Sequence, residues 1–399
     1  MTAIRVRNLW KVFGKRPDEA IRLARAGKGR EEILRATGST VALQDVSFDV
    51  APGELFVLMG LSGCGKSTLL RALNRLNTPT SGTVHVGGVD VTSLDASGLR
   101  ELRRKKVGMV FQHFALFPHR TVLENVAFGL EVQGVSKPDR EAKAMEALEL
   151  VQLAGWAHKP PSDLSGGMRQ RVGVARALAI EPDILLMDEP FGALDPLIRA
   201  SVQQDLMKLR ETLGKTIVFV THDLDEALTL GDRIAIMREG RIVQAGPPAE
   251  IAVQPEDPFV EAFVENVNKA RVLKASDIMR PPVILLRPDT APTTAIRRMD
   301  EHDLESAFVA YRDGQLVGTI AMSDAMAAAQ AGETTIQRAI AQAPVVRPET
   351  LVEEVLRVVL AQRRAAAVVD AQGRLVGVVR RKNLLPAFTS ASAPAAGVA

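Results

Sequence analysis

The chain has 399 residues, of which 46% are apolar and 24% charged, and its formal net charge at pH 7 is +3. This composition supports two or three globular domains of about 150 residues each, and it excludes a general polyanion binder, although a local basic face stays open. The one cysteine, Cys64, excludes an intramolecular disulfide and fits a reducing compartment.

No part of the sequence resembles an export signal or a membrane anchor. The N-terminal residues alternate between charged and apolar types and form no continuous apolar segment. No apolar run reaches the roughly 18 residues that are needed to cross a bilayer. We therefore expect a soluble chain, whose membrane role would come through a partner.

The first 50 residues predict two strands that are separated by an unusual insertion. Residues 4–13 alternate as a strand does and end with the aromatic pair Trp10 and Phe13. Strand character returns at 41–50. Between them, residues 15–40 carry two short helical patterns, interrupted by glycines, which predict an inserted helical hairpin. The hairpin is either a solvated connector or a regulatory or partner-docking element.

A glycine-rich loop follows the apolar strand pattern Leu55–Met59. It matches G-x-x-x-x-G-K-[ST] and precedes a helical pattern, Leu69–Leu76, which is the context of a phosphate site. Glycines let the backbone wrap closely round an anion, and the N–H groups and the helix N-terminus then face the phosphates. Lys66 would reach the β- and γ-phosphates, and the Ser67 hydroxyl would hold Mg²⁺. The expected nucleotide-binding residues are Gly60, Leu61, Ser62, Gly63, Cys64, Gly65, Lys66, Ser67 and Thr68.

Beyond this loop, strand and helix patterns alternate, which predicts a mostly parallel sheet with helices on its faces. A helical stretch at 121–153 predicts a helical subdomain, about 112–180, inserted in this α/β core. The strand patterns are Val107–Phe111, Ile184–Met187, Thr216–Val220 and Arg233–Met237, and the later helical patterns cover 166–180, 197–212 and 224–230.

Polar side chains follow three of these strands and fit the chemistry of nucleotide hydrolysis. Asp188 would bind Mg²⁺, and Glu189 would polarise the attacking water as general base or water positioner. Gln112 would complete the Mg²⁺ and water shell, and His222 would contact the γ-phosphate and the water. The predicted catalytic set is therefore Glu189, His222, Gln112 and Lys66, with ATP and Mg²⁺ as cofactors.

A second anion site is predicted at Leu164–Arg171, where a serine and two glycines precede a basic helix. This stretch lies about 100 residues after the phosphate loop and about 20 before the paired acids. The motif set, in this order, resembles the ABC-type ATPases over residues 4–250. The resemblance implies a head-to-tail homodimer in which a signature loop contacts the γ-phosphate held by the other subunit. The loop residues are Ser165, Gly166, Gly167 and Gln170.

The resemblance implies two further site residues. Residues 193–195 resemble the family's D-loop, with Gly192 where a serine is usual, so Asp195 is expected at the dimer contact. The adenine is expected to stack on an aromatic residue of the first strand. Matching LWKVFG to the family pattern selects Phe13, with Trp10 as the alternative.

The last third of the chain contains an internal repeat with a period of about 60 residues. RPDT at Arg287 recurs as RPET at Arg347, and the repeats resemble a tandem CBS pair. The predicted fold is therefore α/β, a P-loop ABC ATPase domain with an inserted helical subdomain, followed by an α+β tandem CBS module. The expected boundaries are 1–250 for the ATPase, 251–275 for a linker, 276–330 and 331–389 for the CBS repeats, and 390–399 for a disordered tail.

The CBS resemblance leaves the ligand of this module open. Nucleotide-binding units place a hydroxyl and an acid after the last strand. The first repeat keeps Asp324 but has Ala321 at the hydroxyl position, and the second has Arg380 and Asn383. The cluster Arg380–Lys382 suggests attraction to anionic lipid, which salt would screen. An adenosine-type ligand, anionic lipid and a plain solvated face are the alternatives.

Longer stretches, such as MGLSGCGKSTLLRALNRL and THDLDEALTLGDRIAIM, resemble ATPases of the glycine betaine/L-proline uptake family. The resemblance implies import of quaternary ammonium osmolytes from the cytoplasmic face of the inner or plasma membrane. It implies transmembrane permease subunits, docked at residues 112–119, and indirectly a periplasmic or extracellular binding protein, with no nucleic acid. The alternatives are import of another solute, such as an amino acid or choline-like compound, a non-transport ABC ATPase, and a signalling relay centred on the CBS pair.

Overall fold

The computed structural model describes residues 2–111, 115–192, 194–265, 268–362 and 364–388. The chain forms two compact units, of which the first ends at Val264 and the second begins at Glu265. Two short helices after residue 247 therefore belong to the first unit, where the sequence pattern predicts a linker from 251. The predicted tail at 390–399 lies outside the described residues.

The first unit alternates strands and helices along most of its length. Its elements are β1 Ile4–Phe13, α1 Pro17–Arg25, α2 Arg30–Thr37, β2 Thr40–Val50, β3 Leu55–Gly60, α3 Lys66–Leu73, β4 Ser81–Val86, β5 Val89–Asp90, α4 Ala96–Lys105, β6 Val107–Val110, α5 Val122–Val132, α6 Lys137–Leu150, α7 Gly166–Leu178, β7 Ile184–Asp188, α8 Pro196–Leu213, β8 Thr216–Thr221, α9 Leu224–Leu230, β9 Arg233–Arg238, β10 Arg241–Gly246, α10 Pro248–Val253 and α11 Pro258–Val264. Within the described part of the chain, no helix combines the length and the apolar character that a bilayer span requires.

A six-stranded sheet forms the centre of the first unit, in the order β10-β9-β3-β8-β7-β6. All neighbouring strands are parallel except β10 and β9, which are antiparallel. Every residue of β3, β7 and β8 is buried, as expected for a parallel sheet that is covered on both faces. A four-stranded antiparallel sheet, β2-β1-β4-β5, shares one apolar core with α3 and the central sheet.

The parallel strands bring three chain segments to one edge of the central sheet. Strands β3, β8 and β7 are adjacent, with Met59 opposite Thr221 and Asp188 opposite Val220. Their carboxyl ends therefore lie together, at the edge where open parallel sheets bind ligands. The glycine-rich loop, the paired acids and His222 each follow one of these ends.

Helices α5, α6 and α7 pack together in the region of the predicted helical subdomain. A capping box begins α5, because the Thr121 hydroxyl accepts from the Glu124 N–H and the Glu124 carboxylate accepts from the Thr121 N–H. Buried Asn125 fixes the preceding loop, since its side chain bonds the N–H and the carbonyl of Phe117 and the carbonyl of Arg120.

The insertion between β1 and β2 folds into two short helices, α1 and α2. Gly38 ends α2 in the left-handed conformation, with φ of 64°. The apolar stripes of both helices are buried with residues of β1 and β2. This small core contains Trp10, Val12, Ala20, Ile21, Ala24, Ile33 and Val41. The hairpin is therefore packed on the first sheet rather than loosely attached to it.

The second unit contains two copies of one small motif, and turns at Gly314 and Gly373, both at positive φ, join the antiparallel strands of each copy. Each copy has a three-stranded sheet whose first strand pair is parallel and whose second is antiparallel. The N–H groups of Leu316 and Leu375 donate to the carbonyls of Gly373 and Gly314, which links the two copies reciprocally. The elements are α12 Ala275–Ile278, β11 Leu285–Leu286, α13 Pro292–Asp300, β12 Ser306–Ala310, β13 Leu316–Ala321, α14 Met322–Gln330, β14 Val345–Val346, α15 Val352–Gln362, β15 Ala366–Val369, β16 Leu375–Val379 and α16 Arg381–Phe388.

Candidate functional site

The glycine-rich loop between β3 and α3 requires glycine at two positions. Gly60 and Gly65 have φ of 150° and 114°, which side chains disfavour. A Cβ at Gly60 would lie 2.3 Å from the Met237 carbonyl oxygen, and one at Gly65 would lie 2.7 Å from the Ala42 carbonyl oxygen. Neighbouring strands thus press directly on the loop backbone and hold its curved shape.

The remaining residues of the loop divide into an exposed tip and a buried base. Leu61, Ser62 and Gly63 are exposed, whereas Thr68 is half-buried on α3. Cys64 is 6% exposed, and burial raises the pKa of its thiol despite the opposing effect of the nearby Lys66 ammonium. The thiol is therefore a packing group of the loop and is in its neutral form near pH 7.

Lys66, the first residue of α3, lies inside the site and is 4% exposed. Its ammonium donates to the carbonyls of Gly60 at 2.8 Å and Leu61 at 3.1 Å. The same nitrogen lies 3.7 Å from Glu189 Oε1. A buried ammonium needs such partners. Here they orient the cation across the loop toward the paired acids.

Asp188 ends β7 and is 1% exposed. Ser67 Oγ donates to its Oδ1 at 2.7 Å, and Arg71 Nη2 donates to its Oδ2 at 3.1 Å. Ser67 and Arg71 are one helical turn apart on α3, so both side chains face the same carboxylate. The two side chains predicted to hold Mg²⁺, Ser67 and Asp188, are therefore in direct contact. Sequence reasoning missed Arg71, which its spacing of four residues from Ser67 could have indicated.

Glu189 follows with a left-handed backbone, φ 44°, a conformation that is often found at functional sites when the residue is not glycine. Its N–H donates to the Val220 carbonyl at 3.1 Å, which fixes the turn to the neighbouring strand. Its Oε2 lies 3.2 Å from His222 Nδ1. Its side chain is 15% exposed, whereas that of His222 is 55% exposed. The acid thus lies between Lys66 and His222, and the imidazole faces outward.

A buried polar network behind His222 was also missed from the sequence. Glu226 accepts from Thr221 Oγ1 at 2.6 Å and from Gln203 Nε2 at 3.1 Å, and Arg199 Nη1 lies 3.1 Å from Asp223 Oδ2. Burial, aided by the charge of Asp223, raises the pKa of Glu226. The two residues that flank the histidine are therefore fixed by α8 and α9. The network joins residues up to 24 positions apart, so no local spacing indicates it.

The two aromatic candidates for adenine stacking have opposite environments. Trp10 is 3% exposed in the core beneath the insertion, with the Arg25 guanidinium 5.5 Å from its ring centroid. Phe13, the last residue of β1, is 45% exposed, and the Lys11 ammonium lies 4.6 Å from its ring centroid. A base could reach Phe13 without disturbing the core, but it could not reach Trp10.

The signature stretch caps α7, because the Ser165 hydroxyl accepts from the Met168 N–H at 3.3 Å. Gly167 is buried so closely that a Cβ there would lie 2.2 Å from Ile198 Cγ2. Gln170 is 0% exposed, and both polar atoms of its amide are buried without a hydrogen-bond partner among the described residues. The Gln170 side chain thus lies inside the unit in this conformation, and its part in the signature loop stays a prediction.

Asp195 is exposed, and its carboxylate caps α8 by accepting from the Ile198 N–H at 3.1 Å. The predicted residue Gln112 lies outside the described residues, as do His113 and Phe114 of the expected docking segment. The strand that precedes them, β6, lies parallel to β7.

Comparison with known proteins identifies the family. The family described as ABC transporter matches residues 43–192, and the CBS domain family matches residues 275–331 and 338–390. The chain is 48% identical over 385 residues to the glycine betaine transport ATP-binding protein OpuAA of Bacillus subtilis (strain 168), a match that covers 96% of this chain and 92% of that protein. The chain belongs to the ABC transporter ATP-binding proteins. It binds and hydrolyses ATP, as the predicted enzyme class requires.

Other ABC relatives cover the chain to different extents. The glycine betaine/proline betaine transport system ATP-binding protein ProV of Salmonella typhimurium (strain LT2) is 46% identical over 389 residues, covering 96% of this chain and 97% of that protein. The trimethylamine N-oxide transport system ATP-binding protein TmoW of Ruegeria pomeroyi is 51% identical over 281 residues, covering 70% of this chain and 82% of that protein.

Solved structures support the fold of this ABC ATPase. The ATP-binding cassette MJ0796, in a dimeric post-hydrolysis state bound to ADP and Pi, matches with a TM-score of 0.52 and 35% identity, covering 61% of this chain and 98% of that one. The cbiO1 protein from Clostridium perfringens matches with a TM-score of 0.53 and 26% identity, covering 66% and 94%. The predicted fold class, an α/β ABC ATPase followed by a tandem CBS module, is confirmed.

Proposed function

We propose that the chain is the ATP-hydrolysing subunit of a membrane importer for glycine betaine and proline-type osmolytes. The observation that carries this proposal is whole-chain similarity to OpuAA and ProV, which spans the ATPase unit and the CBS unit alike. The constellation at the sheet edge supports the hydrolytic part of the proposal, because Glu189 contacts both Lys66 and His222, and Asp188 beside it contacts Ser67. The chain would work as a homodimer at the cytoplasmic face of the inner or plasma membrane, beneath transmembrane permease subunits.

In the proposed site, each side chain has one task toward MgATP. Phe13 stacks on the adenine, and the loop Gly60–Thr68 encloses the phosphates with its N–H groups. Lys66 neutralises charge on the β- and γ-phosphates. The Ser67 and Asp188 oxygens, in contact at 2.7 Å, are hard donors of the kind that Mg²⁺ prefers, and these two residues would hold the ion. When bound, Mg²⁺ supplies further charge neutralisation of the triphosphate.

Hydrolysis then depends on what Glu189 and His222 do to water. Glu189 accepts a proton from the attacking water or orients it, and its enclosure strengthens that interaction. His222, 3.2 Å from Glu189, holds the acid in place, and its exposed imidazole would contact the γ-phosphate and the attacking water. Gln112, after β6, is proposed to complete the shell of water and metal ligands.

The rest of the proposed cycle takes place between subunits. Ser165 and Gly166 present the N-terminus of α7 to the γ-phosphate of the other subunit, with Asp195 at the same contact. Gly167 is assigned to shaping this turn. Closing two such sites around ATP would move the permease segments that dock at residues 112–119, and hydrolysis would reopen the dimer. A periplasmic or extracellular binding protein would deliver the solute, and nucleic acid has no part in the cycle.

A regulatory role for the CBS unit completes the proposal. A cavity of about 180 Å³ in this unit is lined by residues from both repeats, including Ser306, Ala365 and Arg380. Arg380 stands where nucleotide-binding CBS units have a hydroxyl, and Asp303 and Glu305 line the same cavity, so its charges do not select an anion by themselves. An adenosine-type ligand in this cavity and an anionic lipid surface at the cluster Arg380–Lys382 are therefore two separate candidates for regulation.

The test is ATPase activity of the complex with its permease in lipid vesicles, measured with and without external glycine betaine and its binding protein. We expect stimulation by the two together and none in a complex that carries Glu189→Gln. Stimulation by trimethylamine N-oxide or another amine instead, with basal hydrolysis intact, would replace the substrate and keep the ABC ATPase. The TmoW relative makes trimethylamine N-oxide the second candidate solute.

A further inference from the structure

The insertion 15–40 is the one motif that the proposed cycle does not use, and its second helix reaches the nucleotide loop. Arg30 is the first residue of α2. Its Nη2 donates to the Ala42 carbonyl at 2.9 Å, and its Nη1 lies 3.5 Å from the Gly63 carbonyl oxygen. The second distance is at the long limit of a hydrogen bond, so this contact is mainly between a charge and a carbonyl dipole.

Arg30 lies where the loop backbone is most tightly enclosed. The Ala42 carbonyl that it binds is the atom that a Cβ at Gly65 would approach to 2.7 Å. A Cβ at Gly240 would lie 2.6 Å from Arg30 Nη2. The Gly240 N–H in turn donates to the Cys64 carbonyl at 2.7 Å. The guanidinium therefore joins the strand, the loop and the turn between β9 and β10 in one continuous contact.

Burying the Arg30 guanidinium costs desolvation free energy, which argues that the contact does more than attach the hairpin to the surface. Burial lowers the pKa of Arg30, opposed by the nearby Glu239 carboxylate. Its Nε is buried without a hydrogen-bond partner among the described residues. An arginine that served only to attach the hairpin could place its charge in solvent, as Arg35 of the same helix does with a side chain that is 80% exposed.

We propose that Arg30 is a positioning residue for the nucleotide loop, so that the inserted hairpin is a structural part of the ATP site. Arg30 acts through the carbonyls of Ala42 and Gly63 and touches no reacting atom. By holding these carbonyls outward it keeps the loop curved, with the N–H groups directed to the phosphates. Its loss should weaken nucleotide binding and leave the hydrolytic groups Glu189 and His222 in place.

The experiment compares Arg30→Gln, Arg30→Lys and the control Arg35→Gln in the full chain, with MgATP as the probe. We expect Arg30→Gln to raise the KM for ATP about tenfold, as loss of a charged hydrogen bond does, with kcat within twofold. Arg30→Lys should fall between it and the wild type, because one ammonium can replace only part of the guanidinium contact. Arg35→Gln should match the wild type.

A local readout separates positioning from general stability. Amide hydrogen exchange should become faster in 60–68 of Arg30→Gln and stay unchanged in the core strand β9. An unchanged KM, a fall in kcat alone, or equally faster exchange in β9 would each overturn the proposal. If Arg30→Gln does not fold, Arg30→Lys alone must still raise KM above that of Arg35→Gln. Because these assays need no transported solute, they stand apart from the proposed transport role.

Discussion

The sheet edge of the ATPase unit and the repeats of the CBS unit differ in how tightly their functional residues are constrained. At the edge, the backbone itself dictates residue type, since a Cβ at Gly60 would lie 2.3 Å from a carbonyl oxygen and Asp188 is bonded on both carboxylate oxygens. Both repeats have the same fold, but the residues at the positions that bind nucleotide in other CBS units are different here. Asn383 accepts a hydrogen bond from the Arg380 N–H and so stabilises its own helix start.

The comparison shows that fold and site are specified by different residues in the repeats and by the same residues at the sheet edge. The repeats need only their apolar pattern and their glycine turns, so Ala321 and Asn383 can replace ligand contacts without loss of the fold. Residues at the sheet edge cannot be replaced in this way, because the same atoms serve both the packing and the predicted chemistry. Changes at the edge should therefore abolish activity, and changes in the repeats should alter its regulation.

The largest expected effect is that of Glu189→Gln. Without the carboxylate, the attacking water loses its general base, so hydrolysis should fall about 10²–10⁴-fold. ATP binding should survive, because Lys66 and the loop are unchanged, and the protein should accumulate as an ATP-bound dimer. Turnover by phosphate release and mass by light scattering would measure both effects.

The matched control is Glu181→Gln, an exposed acid paired with Lys143 at 2.9 Å, which should keep wild-type turnover. Normal hydrolysis in Glu189→Gln would remove this residue from the catalytic role and leave His222 as the remaining candidate near the water.

A second, smaller effect is expected when Phe13 is changed to Ala. A base that stacks on an aromatic ring gains about 1–3 kcal/mol, so the affinity for MgATP should fall by roughly tenfold. Phe13→Trp should restore it. Titration with a fluorescent ATP analogue would measure the affinity.

Trp10 provides the contrast, because it is 3% exposed and packs in the core of the insertion. Trp10→Phe should lower the free energy of unfolding and leave the affinity of the folded fraction unchanged. Loss of affinity with Trp10→Phe and none with Phe13→Ala would assign the stacking role to the other aromatic.

The order of the elements and most of the edge residues could be predicted from the sequence, for physical reasons. A loop that encloses phosphate needs glycines at fixed spacing, and parallel strands must bring their carboxyl ends together, so Lys66, Asp188 and Glu189 follow from pattern alone. Burial could not be predicted in the same way. Gln170 belongs to a motif but lies inside the unit at 0% exposure, and nothing in the motif's residue types indicates that burial.

Polar contacts between residues that are far apart in the sequence could not be predicted either. Arg30 and Glu226 bind groups that the chain brings close only on folding. The periodicity of the sequence does not predict which groups these side chains contact. The choice between Phe13 and Trp10 also needed the structure, since residues three apart lie on opposite faces of a strand and only the packing of the insertion shows which face is buried.

A modest effect is expected when Arg380, Arg381 and Lys382 are all changed to Gln. If this cluster is attracted to anionic lipid, internal salt should activate the reconstituted wild-type transporter as the Debye length shrinks from about 10 Å at 0.1 M to about 3 Å at 1 M. The triple variant should lose most of that activation. Its basal hydrolysis should be unchanged, because the edge of the first unit is intact.

Vesicles without anionic lipid are the control, since in them the wild type and the variant should respond alike. Equal salt activation of both proteins in anionic vesicles would show that the cluster is a solvated face.

The smallest effect concerns the buried polar network around Glu226, behind His222. It appears only as a dependence of the free energy of unfolding on pH. Burial raises the pKa of Glu226 above its ordinary value of 4.5, so the folded chain keeps a proton that the unfolded chain has already released. This contribution to stability is complete below about 4.5 and is lost as the pH rises through the higher folded pKa. Its slope cannot exceed about 1.4 kcal/mol per pH unit, because a single proton is involved.

The variant Glu226→Gln carries no such proton, so the wild type should lose free energy of unfolding relative to the variant across this window. The exposed control Asp225→Asn should follow the wild type. Denaturant titrations from pH 4 upward would measure the difference. A difference in free energy of unfolding between the wild type and Glu226→Gln that stays constant with pH would mean that Glu226 is charged throughout. Arg199 and Thr221 would then stabilise its carboxylate, as Arg71 and Ser67 contact that of Asp188.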